Sequence, residues 1–528
     1  MSKSMTLVKF LVWQTFSLLT SHLEKIDSPS PESTPLRQIL KNALFNSGSW
    51  GINVILTLIT TPFIVHKLTV EGYGIYTLLL GFIAYYNLLD LGLGQGVIKY
   101  VAEYKAKKDY AKINVLINTA LWVQICTGLF GSIMLIAFAE TVLKLLKVSS
   151  NYLPDAKSGL YVIAGGFFFT MLSLTLSSVL MGLQRYDVTS KINITSNLLL
   201  SVSIVIALFV GAGLREVVYL TAMFAIVVFI IYLLIVKQNL PQWRFSFPNK
   251  RSLFLEIFQF SGFLFISRIS SISGGYIVRF VVGFLLGPTA VTFYVVPWKL
   301  LIGVGGLLSS AAGVLFPYAS EINALGDRMR IQKTFIETSK VYAAFSVPLH
   351  LVFVAFSKPI LTIWMGSNFA EKDWLVLSLL AFSTLLGSLS TVPNLITMGL
   401  GYTRIIGFFS ILTFISYVTF VPVFTKLWGI EGTAWGMLGS VAPGLALLVY
   451  ETERIMQLRI WYYLKNVMQF HLIPIMASLA FIYFLQRMPA KMTVWILGLV
   501  PLLLALYFFM MARLGWIPLH KFTNKLGV

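Results

Sequence analysis

The stretch GSWGINVILTLITTPFIVHKLTVEGYGIYTLLLGFIAYYNLLDLGLGQGVIKYVAEYKAKKD, Gly48 to Asp109, holds two apolar runs joined by VEGYGIY and followed by a lysine-rich loop. A helix rises 1.5 Å per residue, so a run of about 20 apolar residues crosses the hydrocarbon core of a bilayer. Both runs are long enough. Working outward gives about fourteen such spans, near 45–66, 73–93, 114–138, 158–182, 192–212, 217–237, 254–285, 291–316, 340–364, 374–398, 405–425, 430–450, 468–486 and 492–512. The composition agrees, with 57% hydrophobic and 11% charged residues in 528. The chain reads as an all-α polytopic membrane protein. A net charge of +20 points to nucleic acid in a soluble chain, but here the cations sit in short segments between spans, so no nucleic-acid partner is expected. Cys126 is the sole cysteine, which excludes internal disulfides, thiolate metal sites and redox pairs, and no cofactor or metal is expected.

Lysine and arginine alternate in abundance between successive connections, about 26 on one side against about nine on the other. The positive-inside bias then puts both termini of a multi-pass membrane protein in the cytoplasm. Every outer connection is short, so no catalytic domain is expected there. The N-terminal MSKSMTLVKFLVWQTFSLLTSHLEKI lacks a small-residue cleavage site and runs into SPSPESTP, which favours a cytoplasmic interfacial helix on a tether over a cleaved or spanning segment.

A weak repeat follows at a spacing of about 218 residues. EGYGIYTLLLG from Glu71 aligns with TAVTFYVVPWK from Thr289, pairing Tyr76 with Tyr294. YVAEYKAKKDYAK aligns with YASEINALGDRMR, pairing Tyr100, Glu103 and Asp109 with Tyr318, Glu321 and Asp327, and MGLQRYD at Met181 parallels MGLGYTR at Met398. Two six-helix halves in the same orientation are expected: a tail over 1–41, a first lobe over 42–237, a linker over 238–252, a second lobe over 253–450, and spans 13 and 14 with the C-terminus over 451–528. Parallel repeats place a substrate site at their interface, near the bilayer midplane.

Charge inside the spans marks that site. Arg268 and Arg279 are eleven residues apart in span 7, which on an α-helix is about three turns, so they share one mostly small or polar face. One arginine at a helix centre costs about 2.5–3.5 kcal/mol on the translocon scale. The two therefore either face a wet cavity or snorkel to the headgroups. Lys299 in span 8 is a third candidate, while Lys358 in span 9 is close enough to the outer end to snorkel. In span 1, Asn46, Asn53, Thr57 and Thr60 share a face that either packs on a neighbour or lines a cavity, and no acid occurs between Lys41 and Glu71. The carboxylates singled out in apolar surroundings are Asp90 and Glu256, each either a coupling relay for protons or cations or an interfacial partner of a nearby base. Tyr276, Tyr294 and Trp298 either stack on sugar rings or pack in the core. There is no phosphate loop of the G-x-x-x-x-G-K-[ST] kind, and the five histidines show no metal-ligand spacing.

The opening stretch, with its VEGYGIY turn, the glycine-rich DLGLGQG and the basic loop, together with the later GLQRY, resembles polysaccharide exporters of the Wzx-type O-antigen flippase family in the multidrug/oligosaccharidyl-lipid/polysaccharide (MOP) superfamily, over roughly residues 42 to 450. The resemblance implies two six-helix lobes in a V, as in the MATE-like proteins; the two further C-terminal helices go beyond that core, and the long N-terminal tail departs from the common pattern. It also implies alternating access without substrate chemistry, and a cargo of undecaprenyl-diphosphate-linked oligosaccharide moved to the outer leaflet for surface polysaccharide such as lipopolysaccharide or exopolysaccharide. In that setting Arg268, Arg279 and Lys299, with Asn53, Thr57 and Thr60, would hold the substrate, Asp90 and Glu256 would be coupling candidates, and membrane lipids and polysaccharide polymerase machinery would be partners. Two rival readings are a cation-coupled multidrug exporter of the same superfamily, which wants an acidic pocket, and a membrane glycosyltransferase or polymerase, which wants a D-x-D pair on a sizeable loop.

Overall fold

The computed structural model of the chain describes residues 35–84, 93–247, 275, 277–313, 315–469, 471, 500, 504 and 507. No strand occurs among them. The first two spans form one continuous assignment, α1 (Pro35–Ala84), which reverses at Thr69 (φ 68°, ψ 166°). Thr69 caps the second limb, its Oγ1 accepting the Gly72 N–H at 3.2 Å. The rest of the first half is α2 (Leu93–Ala106), α3 (Tyr110–Ala137), the short α4 (Ala139–Leu145), α5 (Leu153–Gly182), α6 (Tyr186–Phe209) and α7 (Leu214–Asn239).

The second half runs through α8 (Val278–Leu286), α9 (Pro288–Ala312), α10 (Leu315–Ala324), α11 (Arg328–Ala355), α12 (Ser357–Met365), α13 (Ser367–Ser388), α14 (Thr391–Gly399), α15 (Thr403–Gly439) and α16 (Ala442–Tyr450). A π turn over Glu451–Ile455 and α17 (Ile460–Met468) follow. Nine described helical stretches are long and apolar enough to cross a membrane. Most of spans 7, 13 and 14 and the end of span 2 lie outside the described residues.

The expected ninth span, 340–364, is corrected. Its helix α11 begins at Arg328, because the Asp327 carboxylate caps it by accepting the Arg330 N–H at 2.9 Å, and it stops before Phe356 (φ −109°, ψ 21°). Apolarity marks where lipid begins, whereas the cap marks where the helix begins. Likewise the expected 374–398 span is divided into α13 and α14, and α15 covers one expected span and part of the next across a reversal at Trp428 and Gly429.

The repeat is written most plainly in the backbone. Left-handed residues Thr69, Lys108, Lys147, Gln184 and Gly211 in the first half are matched by Gly287, Gly326, Gly366, Gly401 and Gly429 in the second, at offsets of 217 to 219. The caps match too: Asp109 accepts the Lys112 N–H at 3.0 Å as Asp327 does that of Arg330.

Apolar packing divides by depth. One core is shared by both halves and includes Leu68, Tyr73 and Leu78 of α1, Leu160 of α5, Val217 of α7, Val291 and Val295 of α9, Leu377 of α13 and Val421 of α15. At the other end the first half has its own core around Val97, Ile117, Val179 and Val236, and the second half its own around Phe335, Ile396 and Tyr463. The two lobes thus join at one end and separate toward the end that carries the lysine-rich loop after α2 and its counterpart before α11. Gly74 sits at the junction, where an added Cβ would overlap the Pro288 carbonyl. The second glycine of VEGYGIY is there because two backbones touch. Thr292 secures the same contact by donating to the Val70 carbonyl at 2.6 Å.

Candidate functional site: a cationic cavity between the halves

Directly below this junction is a cavity of about 330 Å³. Its first-half wall is Asn53, Thr57 and Thr60 from one limb of α1, Tyr76 and Thr77 from the other, and Asn197 and Ser201 from α6. Its second-half wall is Arg279 of α8 with Val295 and Lys299 of α9. Five of the six residues expected at a substrate site are therefore brought together from three helices, one in the first half and two in the second.

Lys299 lies about 16 Å along α9 from Pro288, close to half the thickness of a hydrocarbon core. Its Nζ donates to the Tyr73 hydroxyl at 2.6 Å and reaches Thr61 Oγ1 at 3.4 Å, with the ammonium 5.2 Å from the Tyr73 ring centre. Among the described residues no carboxylate lies within ion-pair distance of it. Neutral hydroxyls hold the ammonium in place without cancelling its charge, so an anion entering the cavity meets an unneutralised cation. Arg279 donates from Nη1 to the Thr77 carbonyl at 3.1 Å, which fixes the guanidinium against the second limb of α1. On the opposite wall Thr60 donates its own hydroxyl proton to the Leu56 carbonyl at 2.8 Å, and Asn53 Oδ1 is buried with no hydrogen-bond partner among the described residues. No aspartate or glutamate lines this cavity among the described residues.

Residues 275 and 277 are in π rather than α conformation, immediately before Arg279. A π turn carries more residues per turn, so eleven residues no longer make three α-turns, and the shared face expected for Arg268 and Arg279 does not follow from spacing. Arg268 itself, with Asp90, Glu256 and Tyr276, lies outside the described residues. Tyr294 is fully buried in the shared core, and Lys358 is exposed on α12, away from the cavity.

Sequence reading missed Asn197 and Ser201, although Asn193, Asn197 and Ser201 repeat every four residues along α6 and carry the same kind of stripe as span 1. It also missed two buried acids. Asp373 on α13 and Glu451 in the π turn are both 0% exposed, and the Asp373 carboxylate oxygens have no hydrogen-bond partner among the described residues. Both stand beside other charges in the sequence, in EKDW and ETER, and read there as span flanks. Packing of α13 against α9, α11, α12 and α15 removes the first from water, and the turn of the chain toward α14 and α17 removes the second.

A second cavity of about 380 Å³ lies within the second half, on a neighbouring face of α9, and Trp298 lines it while Lys299 lines the first. Its other walls come from α11, α13, α14 and α15.

The profile of the family described as polysaccharide biosynthesis protein matches residues 39–323. A protein of Shigella flexneri carrying the description "Putative O-antigen transporter" is 22% identical over 368 residues, 70% of this chain and 86% of that protein. Among solved structures, the lipid II flippase MurJ in an inward closed conformation superposes with a TM-score of 0.66 at 14% identity, covering 90% of this chain and 99% of that one. An inward-facing multidrug resistance MATE family transporter of the MOP superfamily gives 0.62 at 15% identity, covering 79% and 95%. At such identities these two structures speak for the fold alone: an all-helical, multi-pass membrane architecture of the MOP type. With more than half of its length matched by the profile, the chain belongs to the polysaccharide biosynthesis protein family.

Proposed function

We propose that the protein is a transporter, not an enzyme, and that it moves an undecaprenyl-diphosphate-linked oligosaccharide from the cytoplasmic to the outer leaflet by alternating the access of the cleft between its lobes. The observation that carries this reading is the cavity between the halves, with Arg279 and Lys299 in its wall and no acidic residue lining it among the described residues. Guanidinium and ammonium groups at membrane depth match a diphosphate, while the polyprenyl tail stays in lipid. Asn53, Thr57 and Thr60 supply the polar wall opposite, and Arg268 enters the same role as an extension of span 7. The positive loops after α2 and before α11 are taken as cytoplasmic, together with both termini, so the lobes separate toward the side where the lipid-linked cargo is made. The boundaries at 42–237 and 253–450 fit the recurring turns and caps.

The matching family profile and the relative described as an O-antigen transporter support the polysaccharide branch over a drug exporter. A cavity for cationic drugs would gain little from two cations of its own. The test is transport of undecaprenyl diphosphate bearing a short glycan in reconstituted vesicles. The wild type is expected to move the lipid, and Arg279→Gln combined with Lys299→Gln to stop it. Full transport by the double variant, or efflux of a cationic dye by the wild type, would reject the reading.

A further inference from the structure

We propose that the second cavity, on the face of α9 next to the one that carries Lys299, receives the neutral sugar unit that follows the diphosphate; the inference rests on the diphosphate reading above and extends it to the glycan. At about 380 Å³ the cavity is within the usual range of small-ligand pockets, about 300–1,000 Å³. No charged side chain lines it among the described residues. The walls instead combine apolar surface with neutral hydrogen-bonding groups, among them Trp298, Tyr342, His350, Thr384, Ser388 and Tyr417. A pyranose has this same dual character, with C–H faces that pack on aromatic or aliphatic surface and hydroxyls that need both donors and acceptors.

His350 is the group that calls for a ligand. It is 1% exposed, and its Nδ1 is 2.7 Å from the Ser346 carbonyl. A carbonyl only accepts, so Nδ1 carries the hydrogen, and in the neutral ring the free lone pair is on Nε2. Among the described residues Nε2 has no hydrogen-bond partner, while the ring belongs to the cavity wall. The Ser346 hydroxyl, 2.7 Å from Ser388 Oγ on the facing helix, ties the histidine's turn of α11 to α13. The site thus offers acceptors at His350 Nε2 and at the Thr384 and Ser388 hydroxyls, whose protons go to carbonyls of their own helix, beside the donor-capable Trp298 indole and Tyr417 hydroxyl.

Position supports the pairing of cargo and cavity. Trp298 and Lys299 are consecutive, about 100° apart around α9, so one helix presents a cation to one compartment and an indole to the other at the same depth. The first sugar of a lipid-linked glycan is bonded directly to the diphosphate, and a headgroup held at Lys299 has its sugar within reach of that helix. An apolar tail would leave His350 Nε2 without a donor, and a cation would find no counter-charge.

Full-length protein in detergent is titrated with undecaprenyl diphosphate and with the same lipid bearing one glucose, galactose or N-acetylglucosamine, reading the ratio of dissociation constants. At least one glycosylated lipid is expected to bind about tenfold tighter than the bare one, the effect of one or two added hydrogen bonds. His350→Leu should bring that ratio near one while leaving the bare lipid's affinity unchanged. Gly387→Leu should do the same by occupying the cavity, and it keeps the test valid if the histidine variant misfolds, because an added Cβ at Gly387 meets nothing within 4 Å. Lys299→Gln should weaken all four lipids in proportion. A ratio near one for every sugar in the wild type, or a ratio that survives Gly387→Leu, would overturn the proposal. Failure of the bare lipid to bind is a distinct result that removes the diphosphate reading and this inference with it.

Discussion

The two halves of the molecule make the same turns with different chemistry. Where the second half reverses at Gly287, Gly326, Gly366 and Gly401, the first does so at Thr69, Lys108, Lys147 and Gln184. A side chain in the left-handed region costs roughly 1–2 kcal/mol. The second half avoids that cost, and the first uses the side chains it carries: Thr69 caps a helix, and Lys147 donates to the Leu285 carbonyl at 2.6 Å, across to the other half. At the cavity the asymmetry runs the other way. Arg279 and Lys299 come from the second half, while the first contributes amides and hydroxyls, so the proposed anion site is complete only where the halves meet. Equal backbones have been kept while the chemistry on them diverged.

The largest expected effect tests that division of labour at the cavity. Neutralising Lys299 or Arg279 singly, as Lys299→Gln or Arg279→Gln, should lower lipid transport by about a hundredfold each, as when one partner of a buried charged contact is removed. Thr57→Val on the opposite wall should lower it by tenfold or less, and initial flipping rates in vesicles distinguish the two walls. Equal losses from both walls would erase the distinction between charged and neutral halves.

Next in size is the junction. Gly74→Val drives a side chain into the Pro288 carbonyl and should cost about 3 kcal/mol, the upper end of overpacking, read as a fall in unfolding temperature. Gly387→Val, facing open space, is the control and should change it little.

The caps provide a symmetric pair. Asp109→Ala and Asp327→Ala each remove a carboxylate that accepts a helix N–H, and each should cost about 1 kcal/mol. Similar losses in thermal unfolding would show that the repeat is energetic as well as geometric; a loss at only one would show that the halves are held differently. The smallest effect exchanges the turn chemistry itself. Lys108→Gly should stabilise by somewhat less than 1 kcal/mol, and Gly326→Ala should destabilise by about 1 kcal/mol, since these two positions share one conformation.

Much of the architecture was legible in the chain because lipid imposes a coarse rule that hydropathy reads directly. Spans, the repeat at Tyr100/Tyr318 and Asp109/Asp327, and the isolated bases Arg279 and Lys299 needed no coordinates. Lys299 and the Asn53–Thr60 stripe were recognisable as expensive or unusual in a span, but not as neighbours. Asp373 and Glu451 show the opposite failure. Their local sequence is polar, and only the packing of distant helices makes their surroundings dry. The repeat was faint for a related reason: four of its five left-handed positions carry different residue types in the two halves, so backbone symmetry leaves little trace in side-chain identity.

By itself the sequence determined a helical, membrane-crossing chain with two similar halves and a few costly cations, because apolar run length and charge are local properties that bilayer thickness and solvation free energy act on directly. Only the tertiary structure decided that five polar and cationic residues share one cavity, that Trp298 and Lys299 face different compartments, and that His350 turns an unused nitrogen toward the neutral one. Those are matters of which helix faces meet. They are set by long-range packing at contacts such as Gly74 on Pro288, which no local pattern of residues encodes.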